Sequence, residues 1–164
     1  MEITTEPRVV TRPDLPYVGI RVVTPFRGML GVRDELLAEA KAQVAQLEQS
    51  VVGHGFLRLH VIDMSGPMDI EVGLLTPGRT EHEGRLRSGV LPAGRYATLT
   101  YTGVGTAANR ALLDWVRSQG LALDRREVPE GDWFACRYEA YLTDPALEPR
   151  KKKWDIELAF RLAD

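Results

Sequence analysis

Of the 164 residues, one is a cysteine and three are histidines, and each scarcity removes a class of protein. A lone thiol, Cys136, excludes a disulfide framework, and its apolar setting between Phe134 and Tyr138 marks it as a small buried side chain rather than a nucleophile. His60 stands alone while His54 and His82 fall in expected loops, so no metal-ligand spacing arises and no metal is expected. No apolar run of about eighteen residues exists, and the acidic, proline-containing start Met1–Pro16 lacks the apolar segment of a secretion signal. No membrane partner is therefore expected, and the reading is of a soluble, cytoplasmic protein. Charge of one sign is missing too: a net charge of -2 offers no general attraction to a phosphate backbone, so no direct nucleic-acid partner is expected. The basic run Lys151–Lys153 reads as a solvated turn. Gly103-Val-Gly105 lacks the third glycine and the parallel crossover of a dinucleotide fingerprint, and no cofactor is expected. No serine sits in a nucleophile elbow.

What is present is apolar material in two periods. At 44% hydrophobic residues the chain can bury a core as one unit, residues 1–164. Residues 1–16 show no periodic pattern and read as a lead-in that orders only on joining a sheet. Tyr17–Val23 alternates as a strand, and Arg33–Gln49 carries Leu36, Leu37, Ala40, Val44 and Leu47 at helical spacing. Phe56–Ile62 and Asp69–Leu75 are two more strands around a Ser65-Gly66-Pro67 turn. After a polar loop, Thr76–Ser88, that includes Thr80–Gly84, the order starts again. Arg95–Tyr101 is a strand, Thr106–Gln119 a helix capped by Thr106 and stopped by Gly120, and Trp133–Thr143 and Trp154–Leu162 are strands. Asp69-Ile-Glu-Val-Gly-Leu74 also has a counterpart in Asp155-Ile-Glu-Leu-Ala-Phe160. The expectation is an α+β fold of duplicated β-α-β-β units, about 17–75 and 91–164, as two antiparallel three-stranded sheets with one helix on each. No DNA-binding domain is expected.

Alternation along each strand sorts residues onto a packed and a polar face. The polar set is Tyr17, Arg21, Arg58, His60 and Glu71 from the first half, and Tyr96, Thr98, Thr100, Arg137, Glu139, Tyr141, Glu157 and Arg161 from the second. Phe134, Cys136, Tyr138 and Leu142 form the apolar row expected to lie against the helices. Two such polar faces can line a shared cleft for a small molecule. Candidate ligand-binding residues are Glu139, Tyr141, Tyr96, Tyr17, Arg137, His60, Glu71 and Glu157, with Trp133 and Trp154 placed to close over a ligand. Arg137 and Arg161 are the cations placed to neutralise Glu139 internally.

Five segments together resemble the GyrI-like small-molecule-binding family, which includes effector-binding domains of multidrug-responsive transcription regulators. They are Asp69–Gly73, Leu91–Gly103, Ala111–Trp115, Tyr138–Pro145 and Ile156–Leu158. The resemblance implies a central ligand cleft, with the family's ligand-contacting glutamate falling on Glu139 between aromatic neighbours. Three functions follow as expectations. The first is a stand-alone binder of amphipathic or cationic xenobiotics, acting alone or with a separate regulator. The second is a hydrolase of strained, cyclopropane-bearing compounds, with Glu139 or Glu71 positioning water. The third is a protein-directed inhibitor with a topoisomerase partner. Oligomeric state is not specified by any of these segments.

Overall fold

The computed structural model describes every residue of the chain except Glu83, so that part of the expected Thr80–Gly84 loop lies outside the described residues. In chain order the elements are β1 (Glu2–Arg12), β2 (Leu15–Pro25), α1 (Met29–Gln46), β3 (Val52–Ile62), β4 (Pro67–Leu75), β5 (Arg87–Leu91) and β6 (Gly94–Thr102). There follow α2 (Gly105–Ser118), β7 (Arg125–Val128), β8 (Gly131–Phe134), β9 (Arg137–Tyr141), a 3-10 turn at Lys151–Lys153 and β10 (Ile156–Arg161). The strands form one antiparallel sheet in the order β1-β6-β10-β9-β3-β4-β2-β5, with the β7–β8 hairpin attached at β3. The α+β class stands, but two separate three-stranded sheets do not. Strand β9 pairs with β3 through Phe56↔Ala140, Leu57↔Glu139 and Arg58↔Tyr138, joining the triplets into a single surface. Within it β2-β4-β3 and β6-β10-β9 have the same internal order: first strand, third strand, second strand.

Both helices lie on one face, sharing a core with that face's aliphatic residues: Leu36, Leu37, Ala40 and Val44 of α1, and Ala108, Leu112 and Val116 of α2. The expected helix stripe is thus the packed one except at its end, where Leu47 caps α1 and stays exposed. Thr106 is not the cap of α2, since the helix begins one residue earlier behind Val104 with no side-chain cap. The stop at Gly120 has a clear cause. Its φ is +67°, and Gly120 N–H donates to the carbonyl of Arg117 while Leu121 N–H donates to that of Val116, the paired bonds that close a helix through a left-handed residue.

Residues 1–16 are no mere lead-in. Strand β1 runs the length of β6, with register shifts between Ile3 and Thr5 and between Thr5 and Arg8. Those bulges break the two-residue alternation a sequence reader looks for. The only signal left is β-branched content, Thr4, Thr5, Val9, Val10 and Thr11. Lys151–Lys153 is an exposed turn, as expected, with Lys151 paired to Asp34 in the second turn of α1.

Helix α1 closes with the same hydrogen-bond pattern as α2, Glu48 N–H to Ala45 and Gln49 N–H to Val44, yet its left-handed residue is Glu48, at φ 54°. A Cβ in that conformation is strained where glycine is not. Glu48→Gly should therefore stabilise the protein by about 0.5–1 kcal/mol, read as an upward shift of the urea midpoint with an unchanged slope.

Candidate functional site

Register fixes which side chains share the face away from the helices. One row across the sheet reads Arg21, Glu71, Arg58, Tyr138, Ala159, Thr98 and Arg8, and the next reads Gly19, Gly73, Phe56, Ala140, Glu157, Thr100 and Thr5. Because directly paired residues point to the same side, these two rows are the floor of the open face. Its aromatic members form a chain of edge-on rings. Tyr17 lies 4.9 Å from Phe56, Phe56 lies 5.9 Å from Tyr138, and Tyr138 lies 6.1 Å from Tyr96.

The chain of rings is symmetric about its middle. Phe56 pairs with Gly73 as Tyr138 pairs with Ala159, and Tyr17 pairs with Leu75 as Tyr96 pairs with Arg161. Glu71 and Glu157 hold the same place on β4 and β10, so each triplet contributes two rings and one carboxylate. Small residues beneath the rings are required by contact: a Cβ on Gly73 would stand 2.3 Å from the Phe56 ring, and one on Gly89 2.4 Å from the Tyr17 ring. A glycine inside a strand that admits a neighbouring ring is a packing signal, and here it marks the floor of the site.

Both carboxylates are held by partners from the chain itself. The Arg58 guanidinium donates to the Tyr17 hydroxyl at 3.2 Å, which donates to Glu71 Oε1 at 2.6 Å, and His60 Nε2 approaches the same oxygen at 2.8 Å. A carboxylate only accepts, so Nε2 carries the proton. Burial opposes the charge on Glu71, but the hydrogen bonds from His60 and Tyr17 and the nearby Arg58 charge outweigh it and hold its pKa below the ordinary value. Burial is also the main cause that pushes His60 down and Tyr17 up, leaving both neutral. In the other triplet Arg12, from β1, donates to the Tyr138 hydroxyl at 2.6 Å and to Glu157 Oε2 at 2.9 Å. Between the triplets a cavity of about 190 Å³ is lined by Phe56, Tyr138, Leu15, Leu91, Arg12 and Glu157 among others.

Strand β9 corrects the expected face. Glu139 sits in the row Ile20, Val72, Leu57, Glu139, Leu158, Leu99, otherwise wholly aliphatic and directed at the helices. Arg137 and Tyr141 accompany it, while Cys136 and Tyr138, expected beneath the helices, line the open face with the other rings. The physical reason is a bend at Ala135 and Cys136 that splits the expected Trp133–Thr143 strand into β8 and β9. It leaves Phe134 on the helix side, against the Arg137 guanidinium at 4.8 Å, so a parity counted through it is wrong for everything after. Trp154 is on the helix side as well, 5.8 Å from Tyr141, and Trp133 lies in the hairpin under Arg126, so neither closes over the rings. Arg161 binds Asp124 and the carbonyl of Ala93 instead of Glu139. The cation beside Glu139 is Arg33 of α1, at 3.8 Å, and the Tyr141 hydroxyl donates to Glu139 Oε1 at 2.8 Å.

With that geometry in place the chain was compared with known proteins. The family model for the GyrI-like small molecule binding domain matches residues 5–163. This chain is a member of the GyrI-like family. A search of curated proteins gave no match. Among solved structures, the crystallised C-terminal domain of EcmrR superposes with a TM-score of 0.72 at 16% identity, over 98% of this chain and 99% of that one. EcmrR in complex with DNA gives 0.75 at 15% identity, over 97% of this chain and 57% of that one, so the chain spans little more than half the length of that protein. SAV2435 bound to tetraphenylphosphonium gives 0.61 at 14% identity, over 96% and 94%. A hydrolase from Listeria innocua gives 0.61 at 12% identity, over 97% and 92%. At such identities the likeness is one of fold.

On this GyrI-like scaffold the residues that sequence reasoning missed are Arg12, Phe56, Tyr138 and Arg33. Arg12 lay in the aperiodic start and Arg33 at an expected helix end, Tyr138 was assigned to the covered face, and Phe56, though it shares the parity of Arg58 and His60, was apolar and so not counted with the polar set. For Phe56 the signals were that parity and Gly73, the strand glycine that makes room for its ring.

The depressed His60 pKa has a thermodynamic consequence. The folded protein binds fewer protons there than the unfolded chain, so stability is full above the unfolded value of 6.5 and declines as pH falls through it towards the folded one. The lowered Glu71 pKa acts in the same direction at lower pH, its contribution being lost as pH falls below the ordinary 4.5 through the folded value. Urea denaturation from about pH 7 to about 5 should show falling stability, and His60→Gln, which keeps a donor for Glu71 but does not titrate, should flatten that limb.

Proposed function

We propose that the protein binds small amphipathic molecules with a positive charge on the open face, between two copies of one ancestral unit. The single observation that carries this reading is the position of Arg12. Its guanidinium reaches Tyr138 in the ring chain and pairs with Glu157 in a cavity walled by apolar residues, the place and chemistry that an organic cation would claim. Arg12 is an internal stand-in for such a ligand. Support for the class comes from the family's small-molecule binding and from the phosphonium held by SAV2435. The matching ring pairs, Tyr17 with Phe56 and Tyr96 with Tyr138, and the matched Glu71 and Glu157 support the two-copy origin.

Magnitudes favour a modest binder of small ligands. A cation over a ring contributes about 0.5–2 kcal/mol and a charge-assisted hydrogen bond about 1.5–3 kcal/mol, but Arg12 already holds both partners and must be displaced. The cavity of about 190 Å³ is below the usual span of about 300–1,000 Å³ for drug-sized ligands, so one or two fused rings fit without widening. Calorimetric titration with 1-naphthylmethylammonium should show saturable binding, tightened about tenfold or more by Arg12→Gln and weakened by Glu157→Gln. Glu139→Gln should leave it unchanged. If Glu139→Gln alone abolishes binding, the cation is taken up beneath α1 instead, where Glu139 keeps 16% of its side-chain surface and burial raises its pKa.

The relay Arg58–Tyr17–Glu71–His60 favours a second reading, hydrolysis of a strained xenobiotic at the Tyr17 end of the ring chain. Glu71 would position water and Tyr17 would carry its proton to the leaving group. Mass spectrometry of a cyclopropane-bearing aryl compound incubated with the protein decides it: a hydrated product that disappears in Glu71→Gln supports turnover, and unchanged compound at equimolar protein removes it.

A further inference from the structure

On the opposite side of the sheet a larger cavity, about 590 Å³, opens between the C-terminal half of α2 and the β7–β8 hairpin. Its apolar wall comes from Leu113, Val116, Leu123 and Phe134, and its rim from Arg117, Arg125 and Arg126, with Glu127 and Asp132 as the only acids that line it among the described residues. Arg137 stands in its floor. That side chain is the anomaly of the region: the residue is 9% exposed, its Nε is buried with no hydrogen-bond partner, and it forms no ion pair among the described residues. Nη2 donates to Asn109 Oδ1 at 2.9 Å, and the guanidinium lies 4.8 Å from the Phe134 ring and 4.3 Å from the Phe160 ring.

A buried cation without a carboxylate is costly, and in a folded chain it calls for a counter-charge. Two flanking rings recover part of that cost, not all. The acids nearest in effect are committed elsewhere: Asp132 pairs with Arg125 at 3.0 Å, and Glu139 accepts from Tyr141 and faces Arg33. Burial accordingly pulls the Arg137 pKa down to about 10. Four arginines against two acids leave the lining with an excess of two positive charges. A cavity of this volume falls in the range of ligand sites, and an apolar wall with a few convergent charged groups is their usual composition.

We infer that this cavity is a second binding site, for a small organic anion whose aromatic or aliphatic body rests on the α2 wall and whose carboxylate supplies the missing partner of Arg137. Its charge preference is the reverse of the open face's, and it lies across the sheet from it. It therefore stands or falls independently of cation binding there. Arginine is the suited residue, because its planar fork matches a carboxylate and its charge persists when buried.

The test uses 1-naphthoate on the full chain, with 1-naphthylmethylammonium as the counter-probe, read by calorimetry and by amide shifts in nuclear magnetic resonance. Expected is 1:1 binding of naphthoate, with shifts centred on Leu113, Val116 and Leu123 and none at Phe56 or Tyr138. Arg137→Gln should weaken naphthoate at least about tenfold and leave the counter-probe's response as it was. Should Arg137→Gln fail to fold, Leu113→Trp keeps Arg137 and fills the cavity, and loss of naphthoate binding in that variant supports the site equally. Naphthoate that does not saturate, that shifts the open face instead, or that binds Arg137→Gln or Leu113→Trp as it binds the parent overturns the inference.

Discussion

The β3–β9 seam is the constraint on which everything else depends. Three cross-strand pairs, Phe56↔Ala140, Leu57↔Glu139 and Arg58↔Tyr138, turn two triplets into one surface and fix which side chains of each look the same way. A shift by one residue there would turn β9 over relative to β3, carrying Tyr138 to the helix side and Glu139 to the open face. The ring chain would then break at its centre, and a carboxylate would take the place of a ring. The seam is held by what sits on both sides of it: Leu57 buried among the helix-facing residues, and Phe56 and Tyr138 meeting edge to face on the other side. Register, core and site are therefore one specification rather than three.

Much of this was legible in the chain because periodicity is a direct imprint of burial. The stripes of α1 and α2, the alternation in β2, β3, β4, β6 and β10, and the paired Asp-Ile-Glu segments gave the helices, most of the sheet and much of its open face, including Tyr17, Tyr96, His60, Glu71 and Glu157 among the candidate residues and Arg21, Arg58, Thr98 and Thr100 beside them. What could not be read has specific causes. Bulges erase alternation in β1, so Arg12 went unseen. The bend at Ala135 and Cys136 changes the phase of β9 without any glycine or proline to announce it, and the phase error carried Arg137, Glu139 and Tyr141 to the wrong face. The seam itself is a contact between residues about eighty apart in the chain, and no local pattern encodes which edge of one triplet meets which edge of the other.

The two faces of the sheet handle charge differently. On the open face each carboxylate is satisfied within one layer: Glu71 by Tyr17 and His60, Glu157 by Arg12. Across the sheet, Glu139 and Arg137 are two residues apart on the same strand and still do not pair. Glu139 turns to Tyr141 and Arg33, and Arg137 to Asn109 and two phenylalanine rings. Neither arrangement is what a sequence selected for stability alone would keep, since an aliphatic residue at either position would extend the core at lower cost. Buried polar groups with incomplete partners are where function is to be sought.

Ligand specificity in such a fold follows from which internal groups must be displaced. A flat ring of matching size gains contact with Phe56 and Tyr138 whatever its charge, so the rings set affinity for a class and not for a compound. On the proposed reading, selection by charge would come from Arg12, because a neutral ligand leaves the Arg12–Glu157 pair in place, an anion meets Glu157, and only a cation replaces the guanidinium without leaving a carboxylate bare. That arginine is carried on β1, an edge strand of the sheet held by its pairing with β6 through an irregular register. As an edge strand with two register shifts, β1 pairs with β6 alone, so displacing it breaks one ladder where an interior strand would break two. On the proposed reading, the charge that selects the ligand thus rides on a strand held from one side only.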